Sequence, residues 1–277
     1  MKQYLKDRLK TIGAYYFLQG HYRLFLSEFE RLKNKIQYSK FRGSGYTCNI
    51  CGASYRKFIP HYPTEENKNA IIANNVIAGF GENIYCPSCA SSARQRLVVA
   101  ALDTHVKLNG KKILHLSPEK YVFNFLKKRA NVTTADIEPG FYKIIDSKII
   151  FADATQLPFG DEEFDIVIAN HVLEHIPNDY KAMKEFYRVL KKNGVAILQV
   201  PYSLTIPATI EQPDINDPEL QQKLFGQKDH VRIYELGNYI ARLQQTGFKV
   251  TIMTPVELSL NKSYIFQQGE SFLSIIK

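Results

Sequence analysis

The four cysteines form two Cys-x-x-Cys pairs, Cys48 with Cys51 and Cys86 with Cys89, separated by 34 residues. Each pair is followed by a small residue, Gly52 or Ala90, suited to a tight turn. Four thiolates in this pattern match a tetrahedral zinc ion, and a closed four-sulfur site is structural because no coordination position is left for a reactant. Redox or iron-sulfur use of the same cysteines is the competing reading. A second group, His171, Glu174 and His175, has i, i+3, i+4 spacing, which places all three on one face if the segment is helical. An imidazole titrates near neutrality, so His171 or His175 is a candidate general base. The competing reading is that Glu174 and His175 brace the local turn. A third group lies in Asp229-His230-Val231-Arg232. It reads as His230 acting as base, Asp229 orienting it and Arg232 gripping an anionic acceptor, against the alternative of a surface turn with a structural ion pair.

These groups need a scaffold, and from Lys111 onward short apolar runs alternate with helical stretches, the βαβ pattern of a parallel sheet. Strands are expected at 113–116, 131–136, 148–153, 164–169 and 195–200, with helices at 121–129 and 179–192, the latter ended by Gly194. A proline-punctuated segment, 201–232, reads over 203–222 as a lid or acceptor-selecting loop. A helix near 235–246, a strand at 248–254 and a last strand at 271–276 follow. The fold class is therefore α/β, a doubly wound Rossmann-like sheet with its ligand crevice at the carboxyl ends of the strands. Asp136 ends the second strand, Asp153 the third, and Asn170-His171 follow the fourth, so all converge on that crevice. An ionised Asp at the end of strand two accepts two ribose hydroxyls at once, and Asp153 with Ala154 suits an adenine amino group. The alternative for each Asp is a cap on the next helix or turn.

The stretches Phe151-Ala152-Asp153-Ala154-Thr155-Gln156-Leu157-Pro158-Phe159, Phe164 through Asn170-His171-Val172-Leu173-Glu174-His175-Ile176, and Tyr187-Arg188-Val189-Leu190-Lys191-Lys192-Asn193-Gly194 resemble class I S-adenosylmethionine-dependent methyltransferases of the type 11 branch. The resemblance spans about 111–277. It implies a seven-stranded sheet with the last strand antiparallel, a methyl transfer, and cofactor contacts from Asp136 to the ribose, Asp153 and Ala154 to the adenine, and Asn170 near the methionine moiety. One departure stands out. The usual first loop is glycine-rich, whereas here it reads His115-Leu116-Ser117-Pro118-Glu119-Lys120 with no glycine. A similar Ser/Ala-Pro-Glu loop, and an Asp-His-Val-Arg-x-Tyr run after strand five where acceptors enter, mark a subgroup of bacterial methyltransferase-like proteins. His115, Ser117 and Glu119 are thus the expected cofactor residues of this loop, with Pro118 opening a helix N-terminus toward the ligand carboxylate and Glu119 meeting its ammonium. Some relatives that methylate hydroxyls of quinone precursors or RNA ends hold magnesium through Glu-x-x-Glu-His at the helix after strand four. His171 replaces the first Glu here, and imidazole is a poorer ligand for a hard ion.

Composition frames these sites. The chain has 277 residues, 45% hydrophobic and 23% charged, which excludes disordered, collagen-like and disulfide-framework classes. The net charge is +9, and residues 1–47 carry ten basic against three acidic residues. Three parts follow: a basic amphipathic helical segment (1–42), a four-cysteine zinc-binding module (43–92) and a methyltransferase domain (93–277). Leu5, Leu9, Ile12 and Tyr16, then Tyr22, Phe25, Leu26, Phe29, Leu32 and Ile36 mark the apolar helical face, as two helices or one kinked at Gly20. Its basic face suits an anionic membrane surface or an acidic partner. No secretory signal or spanning segment is read, and the expected location is cytoplasmic or peripheral to a membrane. The leading function is methyl transfer from S-adenosylmethionine to a hydroxyl or amine of a small-molecule or glycan-type acceptor, with structural zinc. The alternatives are rRNA or tRNA methylation, disfavoured because Asn170-His171-Val172-Leu173 is not a base-stacking Asn-Pro-Pro-Tyr motif, and a non-catalytic binding protein with a degenerate cofactor loop.

Overall fold

The computed structural model describes residues 14–258 and 263–277. The expected helical positions Leu5, Leu9 and Ile12 lie outside the described residues. Elements before the sheet are α1 (Ala14–Gln37), β1 (Arg42–Thr47), β2 (Ser54–Tyr55), β3 (Ile59–His61), α2 (Lys68–Ala73), β4 (Val76–Ile77), β5 (Gly81–Tyr85) and α3 (Ala93–His105). Then come β6 (Lys112–Leu116), α4 (Lys120–Leu126), β7 (Asn131–Asp136), α5 (Pro139–Tyr142), β8 (Ile150–Phe151), β9 (Phe164–Ala169), α6 (Asp179–Val189) and β10 (Leu190–Ile197). The remainder is β11 (Tyr202–Ser203), β12 (Ile210–Glu211), α7 (Pro218–Phe225), β13 (Arg232–Glu235), α8 (Leu236–Gln245), β14 (Lys249–Met253), α9 (Pro255–Leu258) and β15 (Phe272–Ile276).

The seven-stranded sheet has the order β14-β15-β10-β9-β6-β7-β8. Strands β8 through β10 run parallel, and β15 is antiparallel to both β10 and β14. This is the expected doubly wound sheet with a reversed last strand. Its central strands are near-continuous apolar runs because both faces are covered. On one face Ala182, Met183 and Phe186 of α6 and Tyr239 and Leu243 of α8 pack on Leu114, Val167 and Ala196. On the other, Leu97 to Leu102 of α3 and Val122 and Leu126 of α4 pack on Ile113, Ile166 and Ile197.

Some boundaries differ from the sequence reading. Strand three is only two residues long, and the helix expected to reach Lys192 stops at Val189, with extended backbone from Leu190 pairing Leu190 to Phe164. Gly194 serves that strand instead of ending the helix. A Cβ there would sit 2.7 Å from Leu190 Cγ and 2.8 Å from Lys191 O. Helix α1 passes through Gly20, which is buried against Ile144, without the expected break. Its stripe of Tyr22, Phe25, Phe29, Leu32 and Ile36 is more than half exposed at every position. No helix among the described residues is long and apolar enough to cross a membrane.

The 34-residue spacer between the cysteine pairs proves to be an arm. Its strand β4 pairs antiparallel with β11, completing a four-stranded sheet of order β12-β13-β11-β4. Its helix α2 packs Ala70 and Ile71 against Phe225 and Ile233. Gly226, the left-handed C-cap of α7 at φ +90°, accepts this approach, since a Cβ would lie 2.7 Å from Ile71 Cδ1. The segment 201–232, with its expected lid or loop at 203–222, is therefore largely built into this small sheet and α7. Arg96, fully buried at the start of α3, ties the parts together. Its guanidinium donates to the carbonyls of Asn83, Ile84, Ser91 and Ile265 and lies 4.9 Å over the Phe58 ring.

Candidate functional site

A cavity of about 820 Å³ opens at the carboxyl ends of the parallel strands. Leu116, Ser117, Asp136, Asp153 and Ala154 line one half, and His171, His175 and Asp229 the other. That size suits a cofactor-scale ligand, whose sites run from about 300 to 1,000 Å³. Convergence follows from topology: β6, β7, β8 and β9 are adjacent and parallel, so their C-termini share one rim.

Asp136 accepts from the Ser117 hydroxyl at 2.6 Å through Oδ2 and from the Glu138 NH at 2.6 Å through Oδ1. Each oxygen keeps a second lone pair for a ligand hydroxyl. Asp153 Oδ1 accepts from the NH and hydroxyl of Thr155 at 2.7 and 2.9 Å, fixing the turn that presents Ala154. Exposed Ile137 and the half-buried Tyr142 complete the wall; burial, with the nearby Asp136 charge, pushes the Tyr142 phenol up to about 12. The glycine-less loop reaches the backbone conformation a glycine would supply, because Ser117 sits at φ +46°. A non-glycine residue held there costs on the order of 1–3 kcal/mol, sustained by the surrounding contacts. These residues fit a nucleoside with vicinal hydroxyls.

Three expected cofactor residues do not line the cavity. His115 is fully buried, its Nε2 facing the Glu119 NH at 3.4 Å and its Nδ1 without a partner. It braces the loop from below, and burial depresses its pKa to about 4. Glu119 and Asn170 are bonded to each other, Asn170 Nδ2 donating at 2.5 Å. Glu119 also accepts from Arg94 at 2.8 Å; burial would raise its carboxyl, but the Arg94 guanidinium holds it below the usual range. Arg94 is a polar residue of this site that the sequence reading passed over. Its signal is the Ser92-x-x-Gln95 capping box, which fixes the helix start one residue before it.

Behind the second half, His171 and His175 of the cavity wall meet Glu174 and His230, which are buried and do not line the cavity, so His230 is not placed to act as the expected base. The expected helical face is absent: Leu173–His175 forms one 3₁₀ turn, and His171 precedes it at φ +55°. The groups still meet. Relative to Glu174 Oε1, His171 Nδ1 lies at 3.3 Å, His175 Nε2 at 3.9 Å and His230 Nε2 at 4.0 Å. Burial would raise the Glu174 carboxyl, yet the three imidazoles hold it at about 2. Burial lowers His171, and lowers His230 to about 4. His175 is raised to about 9 against its burial by the Asp229 and Glu174 carboxylates.

Two expected roles are corrected. Asp229 does not orient His230, which is enclosed; it holds His175, with Oδ2 3.4 Å and the backbone carbonyl 3.2 Å from Nδ1. Arg232 grips no acceptor, because it is buried and donates to the carbonyls of Leu173, Ile176 and Pro177 and to Glu211. It fixes the turn that carries Glu174 and His175. Arg188 of the Tyr187-Arg188-Val189-Leu190 motif plays a similar part, donating to the carbonyls of Leu157 and Phe159.

Residues 116–198 match a family described as "Methyltransferase domain". Among curated relatives, 27-O-demethylrifamycin SV methyltransferase of Amycolatopsis mediterranei is 30% identical over 107 residues, 38% of this chain and 37% of that protein. Demethylmenaquinone methyltransferase of Staphylococcus carnosus is 42% identical over 60 residues, covering 22% and 25%. The chain spans 37% or less of the length of the first such relatives. Among solved structures, an S-adenosylmethionine-dependent methyltransferase from Mesorhizobium loti superimposes with a TM-score of 0.47 at 12% identity, over 66% of this chain and 97% of that one. The matched stretch runs from the first-loop residue Leu116 to Leu198 and contains Ser117, Asp136, Asp153, Asn170 and the Glu174 turn. The cysteine module, Arg94 and His230 lie outside it.

In that module the Sγ atoms of Cys48 and Cys89 are 3.8 Å apart and those of Cys51 and Cys86 3.7 Å. A tetrahedral ion with zinc-sulfur bonds of about 2.3 Å requires sulfur-sulfur edges of about 3.8 Å. All four ligand atoms lie within 4.8 Å of one another. The four thiols therefore fit zinc. Tyr121 of α4 donates its hydroxyl to the Cys89 carbonyl, joining the module to the helix behind the first loop.

Proposed function

We propose that the protein is an S-adenosylmethionine-dependent methyltransferase acting on a hydroxyl or amine of a small-molecule or glycan-type acceptor. The observation that carries this reading is a single cavity with nucleoside-binding groups in one half and an imidazole cluster in the other, in a stretch matching a methyltransferase-domain family. Asp136 would hold the ribose and Asp153 with Ala154 the adenine. The bound cofactor supplies an electrophilic methyl on a sulfonium, whose neutral thioether is a good leaving group. The protein's work is then alignment and proton removal. As the methyl is transferred, the acceptor proton would pass to His171 Nε2, the nitrogen not facing Glu174. His171 suits this task because its depressed pKa keeps it neutral, whereas His175 is protonated near neutral pH.

The proposal includes a structural zinc ion on Cys48, Cys51, Cys86 and Cys89, and the three-part division at about residues 42 and 92, with the spacer arm packed on α7 and β13. The exposed stripe of α1, beside Arg31, Lys33 and Lys35, supports docking to an anionic surface or an acidic partner. The deciding experiment is thermal melting with S-adenosylhomocysteine. Wild type should rise in Tm at saturating ligand, and Asp136→Ala should bind about 100-fold more weakly, the loss of roughly 3 kcal/mol of charged hydrogen bonds. No shift at millimolar ligand in wild type, with Asp136→Ala behaving alike, sinks the cofactor reading.

A further inference from the structure

Helix α1 turns its apolar face away from the body. Gly20 is buried, and Leu24, Arg31 and Asn34 are partly buried, on the face that meets α5 and the turn after it, where a Cβ on Gly20 would lie 3.6 Å from Ile144 Cβ. Glu28 reaches Lys120, the first residue of α4, at 3.9 Å. On the opposite face Tyr22, Phe25, Phe29, Leu32 and Ile36 are between 58% and 69% exposed. At 1.5 Å per residue this stripe runs about 21 Å. Lys33, Lys35 and Lys40 stand exposed beside it. A contiguous apolar patch rimmed by charge marks an interaction site.

The stripe borders the mouth of the cavity. Helix α5, against which α1 packs, gives Phe141 and Tyr142 to the cavity wall. Ile137 on the same wall is 60% exposed, and Phe151, which pairs with Asp136 in the edge strand β8, is 63% exposed.

We propose that this side of the molecule docks on an anionic lipid bilayer, with α1 lying in the headgroup interface and the cavity mouth at the membrane surface. The inference rests on the docking reading of the stripe and commits it to one occupant. Aromatic and aliphatic side chains along one face with lysines at the border are what a helix lying in an interface presents. Charge selects lipid over a second copy. Residues 1–47 carry ten basic against three acidic residues, so two stripes joined face to face would set like charges together, whereas anionic headgroups attract each exposed lysine. Breadth selects lipid over an acidic protein groove. A groove sized for one helix would leave Ile137 and Phe151 open, and a bilayer surface reaches them as well as α1.

The test uses the full chain in sedimentation with vesicles of phosphatidylcholine alone or mixed with phosphatidylglycerol, and soluble polyglutamate as the acidic-protein probe. Binding should be at least about tenfold tighter to the anionic vesicles and should weaken by a similar factor in high salt. Phe25→Ser with Phe29→Ser, and separately Lys33→Gln with Lys35→Gln, should each weaken it about tenfold or more, with Tm unchanged because all four positions are exposed. The chain has no tryptophan, so single tryptophans report position. Phe25→Trp and Phe151→Trp should be quenched by brominated lipid. Val256→Trp, at an 80% exposed position just after β14 on the opposite edge of the sheet, should not. No binding to anionic vesicles, equal binding by both double variants, an unquenched Phe151→Trp, or a wild-type dimer that Phe25→Ser with Phe29→Ser splits overturns the proposal. Polyglutamate binding without vesicle binding refutes the membrane and keeps a docking stripe. Vesicle binding without any S-adenosylhomocysteine melting shift refutes methyl transfer alone.

Discussion

The two halves of the cavity are built on opposite principles. In the nucleoside half, Asp136 and Asp153 are each held by two hydrogen bonds and lie at the ends of neighbouring strands. In the histidine half, Glu174 and His230 are buried with polar atoms unmatched, and the residues come from a 3₁₀ turn and from a segment more than fifty residues away. A satisfied site is rigid before its ligand arrives and spends binding energy on recognition. An unsatisfied one is held by the packing around it, which is why the two halves should respond differently to the same kind of damage.

The largest contrast comes from outside both halves. Cys86→Ser should lower zinc from about one per chain to near zero, a loss set against the roughly 10–16 kcal/mol that structural zinc contributes in small modules. Because the arm between the cysteine pairs packs on β11, α7 and β13, the segment that carries Asp229, methyl transfer should fall while the half of the cavity holding Asp136 and Asp153 retains S-adenosylhomocysteine binding. Metal analysis with ligand-dependent melting reads both, and simultaneous loss of the two would erase the distinction. Next, His171→Gln should lower kcat by about 10² to 10⁴ with the S-adenosylhomocysteine melting shift unchanged. An equal fall in ligand affinity would place His171 in the wrong half.

The smallest effect is a pH dependence owed to His115 under the first loop. Its folded pKa of about 4 lies below the ordinary 6.5, so the unfolded chain takes up a proton that the folded one refuses. Stability from this residue is complete above pH 6.5 and falls as pH drops toward 4, by up to about 3 kcal/mol. Melting curves between pH 7 and 4 should show a steeper decline for wild type than for His115→Gln. Parallel curves would remove His115 from the linkage.

Much of the nucleoside half was legible in the sequence because strand ends repeat at regular intervals and parallel pairing places them on one rim. The strands at 131–136 and 164–169 match their expected bounds, and Asp136, Asp153 and Ala154 line the cavity as expected. What was not legible depends on partners distant in the chain. Asp229 was assigned to its neighbour His230, but backbone direction carries it to His175, and Arg232 turned inward because three carbonyls of the 173–177 turn needed a donor. Arg94 gave no signal beyond the capping box that starts its helix, since its role exists only once Glu119 is packed beside it.

The sequence by itself determined the alternation of strands and helices, the tetrad of thiols and the position of the acidic strand ends, all of which follow from local periodicity and spacing. Only the tertiary structure decided that the cysteine spacer is an arm completing a four-stranded sheet, that Ser117 takes a glycine's conformation, and that three histidines surround one carboxylate. Those facts are set by which buried polar groups find partners across the chain, and burial and pairing are properties of the folded molecule that no local pattern encodes.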